Sequence, residues 1–299
     1  MKVGVIGVGS MGRHHARVYR ELGAELIGVA DIDKKVAGEI ADKYETRAFT
    51  NYEQLLDQGL DAVSIVVPTL LHSEIAMKAM SRNINVLVEK PIADSIEKSR
   101  EIISHARSSK VILMVGHIER FNPAVSKLKE IVDEGVLGDL ITMSSRRVGP
   151  FVERVTDVGI IVDIGTHDID IARYIVGSEP VETFCKLRGI KNRKGDCAFI
   201  ILEFEKVTAS IELNWFTPHR VRSLVVTGTK GIAYADYSEQ SVTIYNSGWK
   251  MEPKIRNEEP LKLELSHFLH CVESGEKPLI SGEEGLKTLE IALNVEKNK

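Results

Sequence analysis

The sequence predicts an α/β protein of two domains: a doubly wound parallel sheet first, then an α+β domain built on an open, mainly antiparallel sheet. Three observations predict it. The 299 residues are about twice a typical domain of roughly 150. Up to residue 118, short apolar runs alternate with helical patterns, as parallel strands covered on both faces require. Beyond that point strand patterns follow one another with little helix between them, which suits an antiparallel sheet.

The elements of the first domain come in strand–helix pairs. "KVGVIGV" (Lys2–Val8) is a valine and isoleucine run broken only by glycine, so it reads as a buried strand. "MGRHHARVYREL" (Met11–Leu22) is too long and too mixed for a strand and reads as a helix. "ELIGVAD" (Glu25–Asp31) and "DKKVAGEIADKY" (Asp33–Tyr44) repeat the pair. So do "AVSIVV" (Ala62–Val67) with "HSEIAMKAMSR" (His72–Arg82), and "NVLVEK" (Asn85–Lys90) with "IEKSREIISHARSS" (Ile96–Ser109). "VILMVGH" (Val111–His117) is one more strand.

The pattern then changes. Pro123 stands early in the helical stretch "NPAVSKLKEIVDEG" (Asn122–Gly135), where its missing N–H costs little. A strand, "LITMSSRRVG", leads through a loop to a helix in "GTHDIDIARYIVG". Six strands follow: "VETFCKLRGI", "CAFIILEFE", "TASIELNWF", "RSLVVTGT", "IAYADY" and "SVTIYN". Two helical segments, "LKLELSHFLHCVESG" and "EEGLKTLEIALNVEKN", close the chain. The expected domains are residues 1–118 and 119–299, and the final helix could pack on either.

Composition excludes several classes. Hydrophobic content of 43% and charged content of 27% are ordinary for a globular protein. A net charge of −4 argues against a general nucleic-acid or anionic-membrane binder. Cys185, Cys197 and Cys271 are distant from one another and form no C-x-x-C, which fits a reducing cytoplasm. No apolar run reaches the roughly 18 residues of a membrane span, and no signal peptide is apparent. His267, His270 and Cys271 have a spacing that metal ligands use, but they sit among Leu265, Phe268, Leu269 and Val272. That stretch reads as a buried amphipathic helix, and no metal is expected.

"GVGSMG" places Gly7, Gly9 and Gly12 in G-x-G-x-x-G register, with Ser10 and Met11 inside the loop. The loop follows a strand and opens a helix, which is the context that makes the pattern specific. This is the Rossmann fingerprint of dinucleotide binding: a tight turn, a close approach of pyrophosphate, and a helix packed hard on the strand. The helix N-terminus supplies N–H groups for the phosphates. Asp31 ends the second strand, where an acidic residue takes the adenosine ribose hydroxyls and repels a 2′-phosphate. NAD is therefore expected rather than NADP. Pro68, Thr69 and His72, after the third strand, are expected cofactor neighbours, with a capping or surface role for His72 as the alternative.

Oxidising a carbinol requires a group to take the hydroxyl proton and a donor near the forming carbonyl. Lys90 ends its strand at the sheet edge where a nicotinamide would lie. Glu89 points to the other face if the alternation holds, toward the cofactor side. A surface Glu–Lys corner is the plainer reading of the same pair. Asp163 and His167 share a face if their helix begins early enough, and a carboxylate four residues before a histidine can fix its tautomer. An N-cap aspartate followed by a half-buried histidine would look the same.

"GVIGVGSMGRHH", "VVPTLLH", "EKP" and "DIGTHDIDI" together resemble the glucose–fructose oxidoreductase and inositol dehydrogenase (Gfo/Idh/MocA) family, over nearly the whole chain. The resemblance implies that Lys90, Asp163 and His167 are catalytic, with the histidine as acid–base, and that Lys90–Pro91 is a candidate cis bond. It implies a second domain whose open sheet face mediates homodimers or homotetramers. "GHIERFNPAV" and "RVTDVGIIVDIGTHDIDI" are similar to the nucleotide-sugar branch of that family. That branch implies oxidation of the C3 hydroxyl of a UDP-N-acetyl sugar, with a downstream aminotransferase as a partner for the 3-keto product. Arg120, Asn122, Arg147 and Arg154 are the candidate substrate contacts, beside Lys90 and His167. Arg146 and Arg147 would face opposite ways on a strand, so at most one reaches the site. A dehydrogenase of a free polyol or simple sugar, and a non-catalytic dinucleotide-binding regulator, are the alternative readings.

Overall fold

The computed structural model of the protein describes residues 1–151, 159–191 and 194–297. In chain order, the first elements are β1 (Lys2–Ile6), α1 (Gly12–Glu21), β2 (Glu25–Ala30), α2 (Lys34–Tyr44), β3 (Arg47–Phe49) and α3 (Tyr52–Leu56). They continue with β4 (Ala62–Ile65), α4 (His72–Met80), β5 (Asn85–Glu89), α5 (Ile96–Ser109) and β6 (Leu113–Gly116). Next come α6 (Pro123–Asp133), β7 (Leu140–Val148), α7 (Thr166–Val176), β8 (Glu182–Arg188), β9 (Cys197–Glu203) and β10 (Thr208–Asn214). The chain ends with β11 (Val221–Gly228), β12 (Gly231–Asp236), β13 (Ser241–Tyr245), β14 (Lys250–Met251), α8 (Pro260–Ser274) and α9 (Gly282–Lys297).

The first sheet runs β3-β2-β1-β4-β5-β6, and all its pairings are parallel. β1, β4 and β5 are buried along nearly their whole length. Cover on both faces is why these strands are apolar runs rather than alternating ones. The strand order reverses between β1 and β4, so the carboxyl ends of those two strands open the crevice where such sheets bind ligands.

The chain divides into two compact units, Met1–Ile118 with Glu259–Lys287, and Glu119–Glu258 with Thr288–Lys299. The break at residue 118 falls where the sequence pattern changes. Residues 259–287, expected in the second domain, group instead with the first. α8 packs against α1, burying Leu261, Leu265 and Phe268. Ser281 bridges Met114 of β6. Gly285 lies so near that edge that a Cβ on it would be 2.7 Å from Val115. An amphipathic helix records that it has an apolar face, but not which domain covers that face.

The second sheet runs β14-β13-β12-β11-β7-β10-β9-β8. Its neighbours are antiparallel except β7 and β10, which run parallel. Residues alternate along each strand. Met143, Ile200, Ile211 and Leu224 point inward into one core with Leu128 of α6 and Ile169 of α7. The other face carries Phe184, Phe199, Ile201, Tyr234 and Tyr245 in the open. Among the described residues, no helix is long and apolar enough to cross a membrane.

Candidate active site

The phosphate loop is built where β1 turns into α1. Gly7 has φ +84°, the left-handed region that favours glycine, and a Cβ there would lie 2.2 Å from the Val66 carbonyl oxygen. A Cβ on Gly12 would lie 1.8 Å from the Gly7 carbonyl oxygen. Both glycines are therefore fixed by the fold. Gly9 differs: a Cβ on it would meet nothing within 4 Å among the described residues. That open side is where a pyrophosphate would come close to the backbone. Among the described residues no side chain caps α1 and no acid lies in its first turn, whereas Asp33 caps α2 and Ser95 caps α5. An uncapped, acid-free helix start suits an anion.

Asp31 accepts the Val8 N–H on Oδ2 at 2.9 Å and the Asp33 N–H on Oδ1 at 3.0 Å. It thus ties the phosphate loop to the end of β2 while staying half-exposed, placed to accept ribose hydroxyls. Ile32 beside it is almost fully exposed, and Leu70 and Leu71 after β4 are exposed as well. Apolar side chains in the open at these strand ends suit the faces of an adenine ring. The sequence reading passed over them, because a lone apolar residue beside an aspartate carries no pattern. Pro68 is exposed and Thr69 half-exposed at the same strand end. The residues of this unit fit NAD.

Lys90 follows β5, half-exposed, and the Lys90–Pro91 peptide is cis. Glu89 is expected to support the cofactor side. Its carboxylate instead enters a buried chain: Oε1 lies 3.2 Å from His15 Nε2, and Oε2 accepts the Lys90 N–H at 3.2 Å. Gly116 on β6 makes room for it, since a Cβ there would be 3.1 Å from Glu89 Cδ. Burial pushes the Glu89 carboxyl up, but the His15 hydrogen bond and the Lys90 charge outweigh it and hold it below the usual glutamate range. His72 departs from its expected place at the cofactor. It is buried, with Nδ1 2.9 Å from the Pro91 carbonyl oxygen and Nε2 2.9 Å from that of Val67. It ties the turn after β5 to the loop after β4 through backbone groups. Burial pushes its imidazole down, against the pull of those carbonyls.

In the second unit, Asp163 and His167 lie on one continuous helical rod. A π-helical turn, Ile161–Gly165, runs directly into α7. Such turns are rare and recur at functional sites. Both side chains are half-exposed, and the Nδ1 edge of His167 is buried. The next residue, Asp168, is 1% exposed and is held by the Ser145 hydroxyl and by Arg147 Nε at 2.5 Å, both on β7. The helix start that carries His167 is thereby fastened to the sheet beneath it.

Three of the expected substrate contacts prove to be internal ties. Arg147 is 4% exposed, bonded to Asp168 and, through Nη1 at 2.8 Å, to Glu119. Burial pulls its guanidinium down, and the charges of Asp168 and Glu119 more than reverse that. Arg120 is equally buried and makes two parallel bonds to Asp170, at 2.8 and 2.7 Å, beneath the Tyr174 ring. Asn122 caps α6 through the Ala124 N–H and donates to the Tyr237 carbonyl. Arg146 faces the other side of the sheet with Glu212. Arg154 lies outside the described residues. A further cation, absent from the sequence-based candidates, is Arg222 on β11, directly opposite Arg147 in the ladder. Its side chain is 43% exposed and sits 3.8 Å from Glu119. Its parity with Leu224 and Val226 was the available signal.

Comparison with known proteins identifies the family of this fold. A model of the oxidoreductase family with an NAD-binding Rossmann fold (GFO_IDH_MocA) matches residues 1–117, and the GFO/IDH/MocA C-terminal domain matches residues 125–234. A UDP-N-acetylglucosamine 3-dehydrogenase from Acidithiobacillus ferrooxidans is 30% identical over 99% of this chain and 96% of its own. A scyllo-inositol 2-dehydrogenase (NAD(+)) from Bacillus subtilis is 32% identical over 98% of this chain and 92% of its own. The solved structure of the Acidithiobacillus ferrooxidans UDP-N-acetylglucosamine 3-dehydrogenase superposes with a TM-score of 0.94 at 28% identity, covering 100% of this chain and 97% of that one.

Proposed function

The chain belongs to the Gfo/Idh/MocA oxidoreductase family and is an NAD-dependent dehydrogenase of CH–OH groups, and on that premise we propose that it oxidises the C3 hydroxyl of UDP-N-acetylglucosamine to a 3-keto sugar. The observation that supports this reading best is the full-length likeness, in sequence and backbone, to a UDP-N-acetylglucosamine 3-dehydrogenase.

When bound, NAD accepts the hydride that leaves C3 with its electron pair. The chain's residues handle the rest. Gly7, Gly9 and Gly12, with Ser10 and Met11, would hold the pyrophosphate, and Asp31 would hold the adenosine ribose. Pro68 and Thr69 line the cofactor's course. His167 takes the hydroxyl proton at Nε2, since its Nδ1 edge is turned inward. Asp163, four residues earlier on the same helical rod, is the second carboxylate-bearing position we assign to the site. Lys90 is the residue we assign as hydrogen-bond donor to the carbonyl as it forms. Arg222 is a candidate for the substrate's phosphates in place of the buried arginines. The open apolar sheet face would be covered in a homodimer or homotetramer. The 3-keto product suits a partner aminotransferase, and the absence of a membrane-spanning helix among the described residues suits a cytoplasmic enzyme.

A second reading, oxidation of a free polyol, is favoured by the likeness to the scyllo-inositol dehydrogenase. The experiment is NADH formation by the purified protein with UDP-N-acetylglucosamine, its uronate, myo-inositol and glucose. Turnover of the UDP sugar well above that of inositol is expected. Turnover of inositol with none of either UDP sugar would overturn the substrate, and NAD binding without turnover of any would point to a regulator.

A further inference from the structure

The first unit holds a buried polar chain that the reaction above does not use. His15 on α1 is 0% exposed. Its Nδ1 lies 3.1 Å from Ser64 Oγ on β4, and its Nε2 lies 3.2 Å from Glu89 Oε1 on β5. Ser64 Oγ in turn lies 2.7 Å from the hydroxyl of Tyr19, one turn further along α1 and also fully buried. One proton arrangement satisfies every atom: Tyr19 donates to Ser64, Ser64 to His15 Nδ1, and His15 Nε2–H to Glu89. Glu89 then accepts the Lys90 N–H. A buried network with each member satisfied enforces one arrangement of the elements it joins. Here those elements are the helix that opens at the phosphate loop and the strand end that presents Lys90.

We propose that His15 is a positioning residue: it anchors the Glu89 carboxylate, and through it the turn that carries Lys90, to the helix that begins at the phosphate loop. The consequence for catalysis rests on the reading that Lys90 acts on the substrate. The Glu89 bond is the part that matters, because within this hydrogen-bonded network Glu89 is the member that accepts the Lys90 N–H. Ser64 and Tyr19 orient the imidazole from behind.

Two amide substitutions separate the bonds. In His15→Asn the amide stands where Nδ1 stood, so the Ser64 bond survives and the Glu89 bond is lost. In His15→Gln the amide reaches the Nε2 position, so the Glu89 bond survives and the Ser64 bond is lost. The first readout needs no substrate: the rate at which acetic anhydride acylates Lys90, followed by peptide mass spectrometry. With Glu89 released, the turn that carries Lys90 loses its anchor, the side chain becomes more accessible, and the H15N rate rises. H15Q keeps the rate of the unmodified chain. The second readout is turnover of whichever sugar the panel selects: H15N lowers kcat about 10- to 100-fold, as small misplacements of a reacting group do, while KM for NAD stays level and H15Q retains most of kcat. Equal acylation rates in H15N and H15Q overturn the proposal. Should H15N fail to fold, Glu89→Asp, which keeps the charge and shortens the reach to His15, takes its place: a raised Lys90 rate supports the anchor and an unchanged one overturns it. Lys90→Ala is the separate control. Full activity there sinks the role of Lys90 in the reaction, while the acylation contrast still judges the His15 link.

Discussion

Arg146 and Arg147 are neighbours on β7 that face opposite sides of the sheet, and replacing each by alanine should have very different effects. Arg147→Ala removes the guanidinium from two buried carboxylates, Asp168 at 2.5 Å and Glu119 at 2.8 Å. Their side chains are 1% and 9% exposed, so water does not replace the lost partner. Stripping one member from a buried ion pair costs about 3–5 kcal/mol. For a unit of this size each kcal/mol moves Tm by about 2–4 °C, which makes the expected loss about 6–20 °C. Arg146 pairs with Glu212 at 2.8 Å, with side chains 49% and 26% exposed. Exposed pairs contribute about 0–1 kcal/mol, so Arg146→Ala should move Tm by no more than about 4 °C. Thermal unfolding by circular dichroism reads both. A stable Arg147→Ala protein whose only defect is a raised KM for the sugar would refute the internal-tie reading and return Arg147 to the substrate.

Three further outcomes follow from the first unit. Gly9→Ala should leave Tm unchanged but weaken NAD binding, whereas Gly12→Ala should lose both, because its Cβ would meet the Gly7 carbonyl at 1.8 Å; an equal fall in Tm for both variants in thermal unfolding would contradict the assigned loop roles. Asp31→Ala should weaken NAD about tenfold or more, by the loss of charge-assisted bonds worth about 1.5–3 kcal/mol, and narrow the gap between NAD and NADP; an unaltered gap counts against the ribose contact. Glu89 has its carboxyl depressed in the fold, so its contribution to stability is full above the usual glutamate value and is lost as pH falls through the folded one. Glu89→Gln should therefore melt lower than the unmodified chain at neutral pH and converge with it in acid, and a constant offset across that range would show that the pair is not what stabilises.

Much of the first domain was legible because its strands are local objects. Val3–Ile6 or Val86–Val88 declare themselves as apolar runs, and the glycine loop between β1 and α1 has a spacing that only one turn geometry explains. β3 escaped, since Arg47–Phe49 is three residues long and mostly exposed, and α3 with five residues has no usable period. The second domain shows the limit more sharply. Alternation on β7 established that only one of Arg146 and Arg147 faces inward. It could not reveal that the inward one is consumed by Glu119 and Asp168, 28 and 21 residues away, because pairs at that separation leave no local trace. His72 failed for a related reason: its partners are the carbonyls of Val67 and Pro91, and backbone groups have no sequence signature. Asp163 and His167 were found by spacing, although the π turn that joins them was not.

The position of oxidation is tested most directly with UDP-N-acetylglucosamine carrying deuterium at C3, incubated with the protein and NAD, with mass spectrometry of the NADH formed. The account predicts NADH that carries the deuterium and a 3-keto sugar that has lost it, with Lys90→Ala and His167→Asn both blocking the transfer. Deuterium retained in the sugar while inositol reduces NAD would contradict it.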